Sequence, residues 1–216
     1  MNIMFDIDGS LTNYNYGYTM AYCEYCKAKG IEPVKVDYSI YSEFGKTNLT
    51  DEQTREMLSD YKDMILFSKV RPGAREFIRQ LVALGHKIFI ITARGCYESY
   101  GMTSTEVEHR TTEWLSQEIG PVHGVFMHTK DKAAKCKELG ITLAFEDCEE
   151  QITNLSREGI KAIIVNTENN QSSQGAYRIY DFDKSTCDSI CKQFLCSKTI
   201  EGIKSEKVRE ESLCYC

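Results

Sequence analysis

Four short clusters of this chain hold residue types that could do chemistry together. The first is Asp6-Ile7-Asp8-Gly9-Ser10-Leu11-Thr12, the second Thr92-Ala93-Arg94, the third Thr129-Lys130-Asp131-Lys132 and the fourth Glu146-Asp147. Asp6 and Asp8 stand two residues apart, and Gly9 permits a sharp turn behind them, so both carboxylates can face one pocket. Asp6 and Asp147 can share a hard divalent cation through oxygen, as magnesium prefers. That cation and a lysine would offset the repulsion between a carboxylate nucleophile and a phosphate dianion. Thr92 and the backbone N–H groups beside it, Ala93 among them, would hold the phosphoryl oxygens. Either lysine of the third cluster could serve. Lys132 is favoured because Asp131-Lys132 opens a helix, whose N-terminus attracts anions, and Lys130 is the alternative. Glu146 reads equally well as a metal ligand or as a supporting carboxylate.

These clusters act together only if the fold brings them to one place. Three segments repeat one pattern of amphipathic run, glycine and short apolar strand: Arg75–Leu84, Gly85, Lys87–Ile91; Lys132–Leu139, Gly140, Ile141–Phe145; and Gln151–Glu158, Gly159, Lys161–Val165. Glycine just past a helix supplies the left-handed residue that ends it. The apolar runs fit strands buried on both faces of a parallel sheet. Asn2–Ile7 and His123–His128 add two more strands, the latter after a helix from about Thr105 to Glu118 whose Thr103 and Glu106 have capping-box spacing. The expectation is an α/β fold with a Rossmann-like, doubly wound, parallel five-stranded sheet spanning residues 1–12 and 70–182. Each cluster then falls at a strand's C-terminal end, the edge where such sheets bind ligands. Residues 13–69 break the pattern, with helical periodicity near Thr19–Lys29 and Asp51–Phe67, and read as a small helical cap inserted after the first strand. Residues 183–216 read as a polar, Cys-rich tail, with a helix over Ser185–Ser197.

The bulk composition narrows the classes of partner. The 216 residues carry a net charge of −6 and no long basic run, which argues against a nucleic-acid polymer or an anionic membrane surface as partner. The first apolar stretch contains Asp6 and is followed at once by Asp8, so it does not read as a targeting segment, and no run is apolar enough to span a bilayer. The expectation is a cytoplasmic protein, and a homodimer is compatible with it. Ten cysteines then read as free thiols.

Asp-x-Asp-Gly-x-Leu-Thr at the end of an N-terminal strand resembles the first motif of the haloacid-dehalogenase (HAD) superfamily. Thr92, the lysine of the third cluster and Glu146-Asp147 fit its remaining three motifs, in the family's order, over residues 6–147. The resemblance implies a HAD-like fold and a magnesium-dependent phosphomonoesterase. It implies that Asp6 is a nucleophile forming an aspartyl-phosphate and that Asp8 protonates the leaving oxygen and then activates water. It further implies that Asp6, the Asp8 carbonyl and Asp147 hold magnesium. The cap's position, Thr129–Lys132 and Phe145-Glu146-Asp147 are similar to the type C 5′-nucleotidases, including the 5′(3′)-deoxyribonucleotidases. Ile91-Thr92-Ala93-Arg94-Gly95 and Val165-Asn166-Thr167 are similar to their bacterial members. The chain departs from the deoxyribonucleotidases at Glu146, where they carry a second aspartate, and in lacking a tryptophan-rich cap; Trp114 falls on a core helix. The substrate implied is a small phosphorylated molecule, a nucleoside monophosphate first and a sugar phosphate or other metabolite second.

Other residues admit blander roles. Tyr14, Tyr16 and Tyr18 suit either a cap core or stacking on a base. Arg94 could reach a substrate, as could His109 and Arg110, although a surface position suits each better. Cys23-x-x-Cys26 lies in a helical pattern without a second pair nearby, which favours free thiols over zinc. A non-catalytic or thiol-regulated binding protein on the same fold is the reading from another class, and keeping both Asp6 and Asp8 argues against it.

Overall fold

The computed structural model describes residues 1–38, 46–95, 98–175 and 177–195. Its centre is a parallel sheet of β1 (Asn2–Phe5), β2 (Lys87–Ile91), β3 (Gly124–Phe126), β4 (Ile141–Glu146), β5 (Lys161–Val165) and β6 (Tyr177–Ile179). The order across the sheet is β3-β2-β1-β4-β5-β6, so the first strand lies at the centre with β2 and β4 on its flanks. Asn2–Phe5 pairs in register with Lys87–Ile90 on one side, and Ile3–Phe5 with Leu143–Phe145 on the other.

Alternation along the strands sorts the core into two layers. Ile3, Phe5, Ile88, Ile90, Leu143, Phe145, Ile163 and Val165 face one way, onto α4 (Ala74–Ala83), α5 (Ser104–Glu118) and α8 (Lys184–Ile190). Met4, Phe89, Ile91, Ala144, Ala162 and Ile164 face the other way, onto α6 (Lys132–Glu138) and α7 (Glu149–Arg157). Period-two side-chain direction in strands that are apolar throughout is what a sheet covered on both faces requires. Phe5 and Phe145 stack face to face at 4.3 Å between adjacent central strands. Gly85, Gly140 and Gly159 all have positive φ, so the repeated helix–glycine–strand pattern is a repeated left-handed helix stop.

The sheet has six strands, one more than the sequence suggests. The sixth, Tyr177–Ile179, is three residues long with an arginine at its middle, and so lacks the apolar run that marks its neighbours. Arg178 is held there by Asn166 and Asn170, each at 2.9 Å. The third strand covers only Gly124–Phe126 of the expected His123–His128, and as an edge strand it is half buried.

Between β1 and α4 lie α1 (Tyr14–Lys29), α2 (Asp51–Asp60) and α3 (Lys62–Leu66). They form a second apolar cluster around Tyr18, Tyr22, Tyr25, Met57, Leu58 and Ile65, to which Tyr100, Met102 and Val107 also contribute. Phe67 packs against both this cluster and the main core. The sequence expects a polar, Cys-rich tail with a helix over Ser185–Ser197; a helix spans Lys184–Ile190, and Cys187, Ile190, Phe194 and Leu195 are buried in the main core. Residues 196–216, with Cys196, Cys214 and Cys216, lie outside the described residues. Among the described residues no helix is long and apolar enough to cross a membrane.

Candidate active site

The C-terminal ends of β1, β2 and β4 and the N-terminus of α6 meet at one edge of the sheet. Asp6 extends β1, its N–H donating to the Phe145 carbonyl at 3.0 Å. Beyond it the chain turns tightly over Ile7–Leu11, closed by the Thr12 N–H on the Ile7 carbonyl at 2.9 Å. Gly9 makes the turn with φ of 84°. A Cβ there would lie 2.0 Å from Asp147 Oδ2, so Asp147 occupies the space that a missing side chain provides.

Lys132 is the first residue of α6, and its side chain is 5% exposed. Its ammonium lies 2.7 Å from Asp6 Oδ1 and 2.8 Å from Glu146 Oε2. The other oxygen of Glu146 accepts the N–H groups of Asp147 at 3.1 Å and Cys148 at 3.0 Å. Glu146 is thus engaged at both oxygens and aims the lysine at Asp6. Lys130 is exposed, and its carbonyl accepts the Gln151 amide. Thr92 is buried, and its hydroxyl oxygen accepts the Arg94 N–H at 3.2 Å, which leaves the hydroxyl hydrogen free to donate.

Electrostatics mark the site as short of positive charge. Burial pushes the Asp6 carboxyl up to about 7; Lys132 works against this, and Glu146 and Asp8 add to it. Asp147 is raised well above the carboxylate range, first by burial and then by Glu146 and Asp6. Burial opposes the charge on Lys132, but Asp6 and Glu146 outweigh it and hold the ammonium protonated. Asp6, Glu146 and Asp147 each offer an oxygen, all within 4.8 Å of one another, a donor set that suits a hard divalent cation. With Glu146 turned to Lys132, the oxygens of Asp6 and Asp147 fit it best.

A cavity of about 430 Å³ opens over these groups, within the range of small-ligand sites. Asp6, Asp8, Thr92, Ala93, Arg94, Lys132 and Asp147 line it, together with Tyr14, Asn15 and Tyr38. The Tyr14 hydroxyl bonds that of Tyr100 at 2.5 Å. Tyr16, which the sequence grouped with Tyr14, is 63% exposed and does not line the cavity. The reason is helical period: residues four apart share a face, so Tyr14 and Tyr18 turn inward while Tyr16 turns out.

Arg94 departs furthest from expectation. It lines the cavity but is not a surface residue, for its side chain is fully buried and forks onto Asp8 at 2.7 and 2.8 Å. Sequence reading also missed Arg71, which donates to the Gly9 carbonyl at 2.9 Å, and Asn170, which donates to the Asp147 carbonyl at 2.8 Å. Neither has a pattern of its own; each supports a strand-end loop from a distant segment. Cys23 is exposed and Cys26 buried on α1, and no cluster including them offers metal-ligand spacing among the described residues.

The doubly wound sheet, with a carboxylate pair after its first strand and lysine and acid at later strand ends, gathers at one edge the residues by which the sequence resembles the haloacid-dehalogenase superfamily. The chain is 25% identical over 188 residues to a nucleotidase of Clostridium acetobutylicum, which spans 85% of this chain and 91% of that one. No family model matches the chain. A haloacid dehalogenase-like hydrolase of Streptococcus pneumoniae superposes with a TM-score of 0.57 at 14% identity, over 89% of this chain and 97% of its own. The Bacillus subtilis protein YfnB, solved bound to magnesium, superposes with a TM-score of 0.55 at 11% identity, over 88% and 98% of the two chains. At these identities the two structures speak for the fold alone.

Proposed function

We propose that this chain is a magnesium-dependent phosphomonoesterase that works through an aspartyl-phosphate on Asp6 and acts on nucleoside monophosphates. The observation that carries the reading is the buried Lys132 ammonium, held by Glu146 against Asp6 at 2.7 Å beside Asp147. An oxygen of Asp6 attacks phosphorus as the ester P–O bond breaks, and Asp8 gives a proton to the departing oxygen. Asp8 then takes a proton from water, the hydroxide displaces Asp6 from phosphorus, and phosphate leaves. Lys132 offsets the negative charge that Asp6 and the phosphoryl group bring together, and the Thr92 hydroxyl and the N–H groups around Ala93 hold phosphoryl oxygens. Magnesium held by Asp6, the Asp8 carbonyl and Asp147 supplies the remaining positive charge. The donor set and the raised proton affinity of two of its carboxyls support a cation there.

The relative named a nucleotidase, matched over most of its length, supports a nucleotide substrate. Tyr14 and Tyr38 add aromatic surface to the cavity wall, where a base could stack. The test is phosphate release from a panel of monoesters with magnesium present. Nucleoside 5′-monophosphates are expected to have the highest kcat/KM. Release from sugar phosphates alone would overturn the nucleotide assignment, and full activity in EDTA would overturn the metal.

A further inference from the structure

Arg94 is a charged side chain with no solvent exposure at all, whereas its partner Asp8 is 22% exposed; both border the cavity. Burying a guanidinium is costly unless its donors are satisfied. Here Nε donates to Asp8 Oδ2 at 2.8 Å and Nη2 to Oδ1 at 2.7 Å, a two-point grip on both oxygens. Nη2 also donates to the Leu66 carbonyl at 2.5 Å and Nη1 to the Thr111 hydroxyl at 3.4 Å. The guanidinium carbon lies 5.4 Å from the Trp114 ring and 5.6 Å from that of Phe67. Four segments thus fix one planar group: the β2 end that carries it, the end of α3, α5, and Asp8 itself.

We propose that Arg94 is the positioning residue of the general acid–base, setting the direction in which Asp8 presents its carboxyl to the cavity. This rests on the proposed role of Asp8. A carboxyl on a tight turn has free χ rotations, and a proton-transfer group must stand within hydrogen-bond reach of its target atom. A planar fork defines both the position and the plane of the carboxyl, which a lysine ammonium cannot do. A carboxyl has about four lone-pair sites and the fork takes one on each oxygen, so another site carries the proton given to the leaving oxygen and, once that proton is gone, accepts one from the water.

A merely structural pin would slow every substrate alike. A positioning residue acts through Asp8, so its effect follows the leaving group's need for a proton. The experiment measures phosphoenzyme formation by rapid quench for wild type, Arg94→Lys, Asp8→Asn and the double variant. Each is given a nucleoside 5′-monophosphate, whose alkoxide needs the proton, and p-nitrophenyl phosphate, whose phenolate needs it far less. Arg94→Lys is expected to slow the nucleotide reaction about tenfold or more and the phenolate reaction much less. In the Asp8→Asn background it should add little further loss on the nucleotide. Equal slowing of both esters by Arg94→Lys, or losses that multiply in the double variant, would overturn the inference while leaving Asp8's role standing. Equal slowing of both esters by Asp8→Asn would instead remove the acid role, and this inference with it. Should Arg94→Lys not fold, Thr111→Val, which removes one acceptor of the guanidinium at constant shape, is read the same way. It should produce the same leaving-group pattern at a few-fold scale, and a loss shared by both esters would overturn the inference.

Discussion

Asp6→Asn keeps the shape of the side chain and removes its charge. Lys132 retains Glu146 as a partner at 2.8 Å, so the variant should fold. An amide has no anionic oxygen to attack phosphorus, and turnover should fall by about three orders of magnitude or more. Initial rates beside a thermal melt check this; wild-type turnover in a folded variant refutes Asp6 as nucleophile. The same carboxyl gives a pH signature in metal-free protein. Its folded value, about 7, lies above the ordinary 3.8, so the native state holds the proton more tightly than the unfolded chain. Its contribution to stability is therefore fully present below about 4 and is lost as pH rises towards and through 7. Magnesium should offset that loss, so the rise in melting temperature on adding magnesium should be larger at pH 7.5 than at pH 5. An equal rise at both would contradict it.

At this scale the sequence was legible where neighbours in the chain are neighbours in the site. Asp6, Asp8 and Gly9 were readable together, as were Glu146 and Asp147. Arg94 was not, because its setting is assembled from afar: Asp8 is 86 residues away, and its aromatic walls belong to α5 and to the end of the cap. An arginine judged on its own is best placed in water, and only the fold supplies the reason to bury it.

Among the elements, those that repeat a pattern were readable and those that borrow stability from others were not. The glycine-stopped helices and the strands after them fall within a residue or two of their expected limits, since each carries its own stop signal. β6 was hidden because an arginine side-chain network, rather than an apolar run, holds it. The segment after Asp183 reads as a polar tail because few of its residues are apolar, yet Cys187, Ile190, Phe194 and Leu195 are the ones the core takes. That has a measurable consequence. Ending the chain at Asp183 removes Ile190, Phe194 and Leu195 from the core, each burial contributing roughly 1.5–3 kcal/mol. The sum is a large part of a domain's typical stability of about 5–15 kcal/mol. The shortened chain should be insoluble or melt more than about 10 °C lower, by calorimetry or circular dichroism. An unchanged melt would show that the segment is dispensable.

Across the whole molecule, the helices over the cavity are joined to the sheet domain by polar ties. The Asn15 amide on α1 donates to Glu168 at 2.7 Å and to Asn169 at 3.1 Å, just beyond β5. Arg110 on α5 pairs with Asp63 on α3 at 2.6 Å and lies over the Phe67 ring. Exposed ties of this kind are individually weak, so removing one should shift the position of the helix it holds without unfolding the chain. Asn15→Ala and Glu168→Ala should each raise KM for the preferred monoester several-fold, with kcat and melting temperature little changed. Glu168 does not line the cavity, so it separates the tie from direct contact with substrate. A raised KM for Asn15→Ala alone would assign the amide to binding, and the tie would be withdrawn.

The central position of β1 also bears on how the protein is made. A ribosome delivers this strand well before its hydrogen-bonding partners, Lys87–Ile90 on one edge and Leu143–Phe145 on the other. Until then Ile3, Met4 and Phe5 are held on a strand with both backbone edges open, a state prone to adhere to other chains. Asp147 also emerges with the second of those partners, so no shorter nascent chain can assemble the carboxylate cluster. Pairing over such separations in sequence makes parallel sheets slow to close. Chaperone demand should therefore peak between the emergence of the second strand and that of the fourth, and magnesium should begin to protect nascent chains only once the fourth strand has cleared the exit tunnel.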